Sequence, residues 1–261
     1  MQRLADSGRF DLGDSQLEYR FWRSRPDETP SLVLLHEGLG CVGLWGDFPA
    51  RLAEATGRTV FAYSRAGYGG SSPVALPRPL DYMQREAKDS LPRVLDAIGF
   101  QCGALIGHSD GASIAAIHGG ALRDPRVRAI SLIAPHFVVE EMTVAAIERA
   151  REAYATGDLR RKLTRWHANV DVAFRGWNDA WLDPKFRAWD ITAYLPAIAA
   201  PVQIIQGEDD PYGSERQIEV ARKELSKPAD VVMLSGVGHA PHKEAPEAAL
   251  EHITRFVLPL L

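Results

Sequence analysis

Short apolar runs recur along the chain, bounded by glycine, proline or polar residues, with helical spacing between them. Segments 10–12 and 17–22, parted by Gly13, Asp14 and Ser15, predict an antiparallel hairpin. Strands are predicted at 31–35, 59–63, 103–106, 128–134, 201–206 and 231–234. Segment 45–56 spaces Phe48, Leu52 and Ala55 as a helix does and should stop at Gly57. Further helices are predicted at 80–98, bent by Pro92, and at 112–122, 215–225 and 246–260. The strands are unbroken runs of Val, Ile and Leu, which suits a sheet covered on both faces. Their alternation with helices predicts βαβ units and a mostly parallel sheet.

One stretch breaks this rhythm. Segment 137–196 offers no strand, yet holds four of the six tryptophans, Trp166, Trp177, Trp181 and Trp189. Helices are predicted at 142–155 and, N-capped by Asp158, at 159–167. Asp183 followed by Pro184 marks another helix start. About 60 residues of helix between two strands predict a cap over a site. The alternative is extra helical packing against the side of the sheet. The expected division is a core of 1–136 and 197–261 with a cap of 137–196.

Composition narrows the class. The 261 residues are 46% hydrophobic and 25% charged, enough apolar material to bury a sizeable core. Net charge is −4 without a basic stripe, which argues against a nucleic-acid partner. Two cysteines, Cys41 and Cys102, make no disulfide framework. The first residues carry scattered charges and no apolar stretch of signal-peptide type, and no run is long enough to span a bilayer. The expectation is a cytoplasmic protein with neither nucleic-acid nor membrane partners, whose oligomeric state is left open.

The chemistry concentrates in a few loops. Gly107-His108-Ser109-Asp110-Gly111 joins the strand at 103–106 to the helix at 112–122. A serine on so tight a strand-to-helix turn is forced toward unfavourable backbone angles, and its hydroxyl stands out at the carboxyl end of the sheet. A plain turn with serine as helix cap is the competing explanation. A serine hydroxyl needs a histidine base, oriented by a carboxylate, to become a nucleophile. His239, after the last strand, is one candidate and His242 is another. The pair could also be half of a metal site, but no third ligand pair accompanies it, so no metal is expected. Glu208, Asp209 and Asp210 follow the strand at 201–206, and at most one of them can face the histidine. After the strand at 31–35, His36-Glu37-Gly38-Leu39-Gly40 is flexible enough to turn backbone N–H groups toward the serine. The N–H of Asp110 would be a second donor. Gly67 and Gly69 do not form a dinucleotide fingerprint, because Ser72 stands where a third glycine belongs.

Taken in order, these loops resemble the α/β-hydrolase fold superfamily from about residue 10 to residue 260. A further loop, from Ser64 to Ser71, resembles the family's Arg-x-x-Gly-x-Gly-x-Ser segment through Arg65, Gly67 or Gly69, and Ser71 or Ser72. It would hold the floor of the site. The resemblance implies a mostly parallel twisted sheet flanked by helices, with an inserted helical cap. Its loop spacings select Asp210 as the acid and His239 as the base, with Ser109 as nucleophile. Glu37 interrupts the family's usual His-Gly pair. If Glu37 is an insertion, Leu39 supplies the first oxyanion N–H; if the loop is realigned, Gly38 does. The Asp110 carboxylate would oppose an oxyanion unless it points away or is paired, with His108 and His136 as candidate partners. A serine nucleophile argues against epoxide hydrolases and haloalkane dehalogenases.

The resemblance therefore implies hydrolysis of a carboxylic ester, lactone or thioester through an acyl-enzyme on Ser109, with no cofactor and a small-molecule substrate. His36, Glu37, Gly38, His136, Trp177 and Trp181 are the candidate substrate contacts. Relatives that cleave C–C bonds of ring-fission diketones with the same triad give an alternative. So do side activities such as cofactor-free haloperoxidase or perhydrolase chemistry, and members of the fold that bind a ligand without turnover.

Overall fold

The computed structural model describes residues 4–25 and 28–261. Eight strands form one sheet: β1 (Ser7–Asp11), β2 (Gln16–Trp22), β3 (Leu32–Leu35), β4 (Val60–Tyr63), β5 (Gly103–His108), β6 (Val127–Ile133), β7 (Val202–Gly207) and β8 (Asp230–Leu234). Their order across the sheet is β1-β2-β4-β3-β5-β6-β7-β8. The hairpin β1–β2 and the β2–β4 pair are antiparallel, and every other pair is parallel. All residues of β3, β4, β5 and β7 are buried, as continuous apolar runs covered on two sides require. Because the strands from β3 onward run in one direction, the loops after β3, β5, β7 and β8 emerge on the same edge.

The helices are α1 (Phe48–Thr56), α2 (Tyr82–Arg85), α3 (Leu91–Ala97), α4 (Asp110–Leu122), α5 (Glu141–Thr156), α6 (Leu159–Leu163), α7 (Val170–Leu182), α8 (Glu215–Glu224), α9 (Pro241–Glu244) and α10 (Pro246–Val257). One apolar cluster joins α3, α4 and α8 with β1, β2 and much of segment 137–196. A second joins α1 and α10 to the opposite face of the sheet. Gly57 ends α1 in the left-handed conformation expected of a glycine stop, with φ 61°.

Three local expectations need correction. The helix expected over 80–98 is interrupted by a π turn at Glu86–Ser90, just before Pro92. Pro92 has no N–H to give, and its ring crowds the carbonyl one turn back, so the widened turn precedes the proline. The helix expected over 159–167 stops at Leu163, and Asp158 does not cap it with its side chain. That carboxylate pairs with Arg161 and approaches Lys162 instead. The helix α7 was not foreseen. Asn169 caps it by accepting the N–H of Val172, and Val170, Ala173, Phe174, Trp177, Ala180 and Trp181 recur on its buried side.

Segment 137–196 contributes no strand to the sheet. It holds α5, α6, α7 and two 3-10 turns, Pro184–Ala188 and Thr192–Ala197, plus an isolated bridge between Val138 and Asp190. Asp183 accepts the N–H of Lys185 and Pro184 opens the first of those turns. No helix among the described residues is long and apolar enough to cross a membrane.

Candidate active site

Ser109 sits between β5 and α4 at φ 54° and ψ −117°. A non-glycine residue held there stores roughly 1–3 kcal/mol of strain. The turn closes only because its flanks are glycine. A Cβ on Gly107 would lie 2.2 Å from the carbonyl oxygen of Gly111, and one on Gly111 would lie 2.0 Å from that of Leu35. Close packing of α4 on the end of β3 is thus what lifts the serine out of line.

Three loops converge on that hydroxyl. The Nε2 of His239 lies 2.9 Å from Ser109 Oγ, and its Nδ1 lies 2.9 and 2.8 Å from Asp210 Oδ1 and Oδ2. An ionised carboxylate only accepts, so the ring proton sits on Nδ1 and Nε2 is left to accept from the serine. Burial works against the charge on Asp210, but His239, the Tyr212 N–H and the Gln206 amide outweigh it and hold the carboxyl below its usual range. Of the three carboxylates on this turn, Asp210 alone is buried; Glu208 and Asp209 are exposed. His242 is also buried, wedged against Trp45, Phe48 and His108, and neither ring nitrogen has a hydrogen-bond partner. Burial pushes its pKa well below the ordinary histidine value. Among the described residues, no three His, Cys, Asp or Glu side chains gather as metal ligands.

A cavity of about 210 Å³ opens beside Ser109. Glu37, Gly38, Leu39, His108 and Asp110 line its core side, and His136, Tyr212, His239, Ala240 and Lys243 line it from the later loops. Thr143 and Ile147 of α5 and Trp177 and Trp181 of α7 close it from segment 137–196. His36 is not on its wall. It is fully buried below, donating from Nδ1 to the Glu37 carbonyl and accepting the Arg65 N–H at Nε2. Arg65, itself buried, holds the carbonyls of His36 and Glu37. Ser71 donates to the Ser64 carbonyl and accepts the Glu18 N–H. The Ser64–Ser71 loop thus braces the loop after β3 from beneath.

The Asp110 side chain turns away from the serine, but its partner is neither His108 nor His136. Tyr82 donates to Asp110 Oδ2 at 2.5 Å, and Trp181 donates to the Tyr82 hydroxyl at 3.1 Å. Burial raises the Asp110 carboxyl above its usual range, although Arg65 and Tyr82 oppose the shift. His108 donates from Nε2 to the carbonyl of His239 at 2.7 Å. His136 stands 5.6 Å from the His239 ring and 5.3 Å from Trp181, and burial lowers its pKa to about 3.

A buried latch joins segment 137–196 to the core. His167 accepts the Gly69 N–H at Nδ1, which leaves Nε2 to donate to the Leu39 carbonyl at 3.0 Å. The Ala168 N–H returns to the Gly69 carbonyl.

A sequence model of the alpha/beta hydrolase family matches residues 32–252. The chain belongs to the alpha/beta hydrolase family. No curated protein matches the sequence. Among solved structures of this fold, the proline iminopeptidase of Mycobacterium smegmatis superposes with a TM-score of 0.75 at 19% identity, over 96% of this chain and 97% of that one. The esterase RhEst1 from Rhodococcus sp. ECU1013 gives 0.72 at 20% identity, over 98% and 100%. The enol-lactonase from Burkholderia xenovorans LB400 gives 0.71 at 18%, over 95% and 99%. At such identities the likeness is one of fold.

Within this alpha/beta hydrolase, sequence reasoning missed Tyr82, Thr143, Ile147, Tyr212 and Lys243. Tyr212 stands two residues after Asp210, and its ring packs 4.7 Å from that of His239. Lys243 follows His239 by four residues on the short helix α9 and pairs with Glu37 at 3.2 Å. The neighbourhood of these two was visible in the sequence. Tyr82 and the α5 residues reach the site only through tertiary packing.

Proposed function

We propose that the protein is a serine hydrolase of small carboxylic esters, acting through an acyl-enzyme on Ser109. The observation that carries this reading is the chain of contacts from Asp210 through His239 to the Ser109 hydroxyl, with both ring nitrogens engaged at 2.8–2.9 Å. His239 takes the serine proton as the oxygen attacks the carbonyl, then passes it to the leaving alcohol. Asp210 holds the ring and stabilises its cation. Water, deprotonated by His239, releases the acid in the second half. No resident cofactor takes part.

The oxyanion falls to the backbone N–H groups of Leu39 and Asp110. Asp110 opens α4, so its N–H has no acceptor within the helix. The Leu39 carbonyl is pinned by His167, which fixes the loop that carries the other donor. With its carboxylate turned to Tyr82, Asp110 can present its N–H without setting a negative charge against the oxyanion.

Segment 137–196 acts as a cap in this reading, because Trp177, Trp181 and Ile147 close the cavity over the serine. At about 210 Å³, the cavity is below the roughly 300–1,000 Å³ usual for ligand pockets, which favours short acyl groups over long chains. Gly38, Glu37 and His136 complete the substrate wall. On a short-chain nitrophenyl ester, Ser109→Ala should lower kcat by on the order of 10⁴ to 10⁶. Retention of most activity would remove Ser109 from the nucleophile's role.

A further inference from the structure

His239 stands in a loop that begins with Gly236, at φ 72°, and contains Gly238. Asp210 and Ser109 hold the ring, but the ring is only as well placed as the backbone that carries it. Three hydrogen bonds fix that backbone. The carboxylate of Glu244 accepts the N–H of Gly238 at 2.7 Å through Oε2 and that of Ala240 at 2.9 Å through Oε1, bracketing the histidine. His108 donates from Nε2 to the carbonyl of His239 itself. A Cβ on Gly238 would stand 2.9 Å from Glu244 Oε2 and press on that carboxylate.

A further contact reaches the loop after β3. Lys243, beside Glu244 on α9, pairs with Glu37 Oε1. Glu37 Oε2 lies 3.5 Å from Nδ1 of His108, but that nitrogen has no hydrogen-bond partner, since the ring proton is spent at Nε2 on the His239 carbonyl. The loops after β3 and β5 are thus each tied to the segment that carries His239, one through Glu37 and Lys243 and the other through His108. The residue that interrupts the His-Gly pair after β3 thereby has a structural task.

We propose that Glu244 and His108 are positioning residues that set the height and direction of the His239 ring through its backbone, with the Lys243–Glu37 pair bracing α9 against the loop after β3. This rests on the reading of His239 as the general base. Glu244 is off the cavity wall, and His108 meets the cavity from its core side. Loss of either slows the chemical step, and loss of Glu244 leaves substrate affinity nearly untouched.

The test measures kcat and KM on a short-chain nitrophenyl ester, per site titrated with a fluorophosphonate, for Glu244→Ala, His108→Ala, His108→Gln and the double alanine variant. Each alanine variant should lose about 10- to 100-fold in kcat, with KM little changed for Glu244→Ala, as misplacement of a reacting group does. His108→Gln, which keeps a donor near the Nε2 position, should recover much of the loss. The double variant should lose less than the product of the single losses, because both act on one loop. If the alanine variants fail to fold, His108→Gln and Glu244→Asp decide the matter, the first retaining more kcat than the second. Wild-type kcat per titrated site in the single variants, or losses that multiply in the double, would overturn the proposal. His239→Ala separates the two readings. If it is inactive while the other variants keep full kcat, only the positioning role fails; if it stays active, the general-base reading itself falls.

Discussion

Asp209 and Asp210 are chemically alike neighbours, and only their surroundings separate them. Asp210 is 5% exposed and accepts from His239, the Tyr212 N–H and the Gln206 amide. Asp209 is exposed, and its turn is held by its backbone N–H on the Val237 carbonyl. Asp210→Asn keeps the shape but favours the wrong histidine tautomer, since a carboxamide can donate toward Nδ1. On the same ester its kcat should fall by on the order of 10⁴, the scale of the like change in a serine-protease triad. Asp209→Asn should change kcat less than twofold, because an exposed side chain clear of the site leaves the tautomer alone. Equal losses in the two variants would show that charge on the turn, rather than tautomer control, is what matters. Asp110 makes a similar point. Its position after the nucleophile suggested histidine partners, yet its carboxylate turns the other way, to Tyr82 and through it to Trp181.

At the scale of elements, His167 links segment 137–196 to two core loops at once. It is 3% exposed and uses both ring nitrogens, on Gly69 N–H and Leu39 C=O. His167→Ala leaves the buried Gly69 N–H and the part-buried Leu39 carbonyl without partners, the first worth about 1–3 kcal/mol and the second less. Urea unfolding of the variant should show a loss of about 2–4 kcal/mol after partial hydration of the gap. An unchanged midpoint would mean that the latch closes onto water as readily as onto imidazole. This latch was hidden in the sequence, because its partners are 98 and 128 residues away. The sheet was legible for the opposite reason. Strands buried on both faces read as continuous apolar runs, and loops at their carboxyl ends carry the functional residues whatever the distance between them. The helix α7 had the right spacing of Val170, Ala173, Phe174, Trp177 and Trp181, with Asn169 ahead of it, and was legible in principle. Asp158 had the composition of a cap but found arginine and lysine within its own turn and exposed competitors for its charge. His36 was expected at the pocket because it opens the loop after β3; the Arg65 N–H that captures its Nε2 comes from another strand's end and is invisible locally.

For the molecule as a whole, the buried histidines set the response to acid. Burial pushes His36, His108, His118, His136, His167 and His242 below their ordinary value, His136 to about 3. In the unfolded chain each takes up a proton as pH falls through about 6.5, whereas the folded chain keeps them neutral. The unfolded state then binds more protons, so stability falls as pH falls, beginning near 6.5 and continuing for His136 until pH nears 3. At pH 5 the unfolded pKa is about 1.5 units above the pH, so His136 alone removes about 2 kcal/mol, and the other histidines act in the same direction. Asp210 and Glu37, whose carboxyls lie below their ordinary range, add their loss only once pH drops under about 4, where the unfolded carboxylates protonate. The expected record is a urea midpoint that falls between pH 7 and pH 5, opposed by Asp110, whose raised carboxyl takes up its proton first in the folded state. His136→Gln should flatten that slope by up to one proton's worth. A midpoint that holds steady from pH 7 to pH 5 would mean that the folded protein admits protons to these rings, and that the polar cluster around Ser109 is wetter than its packing implies.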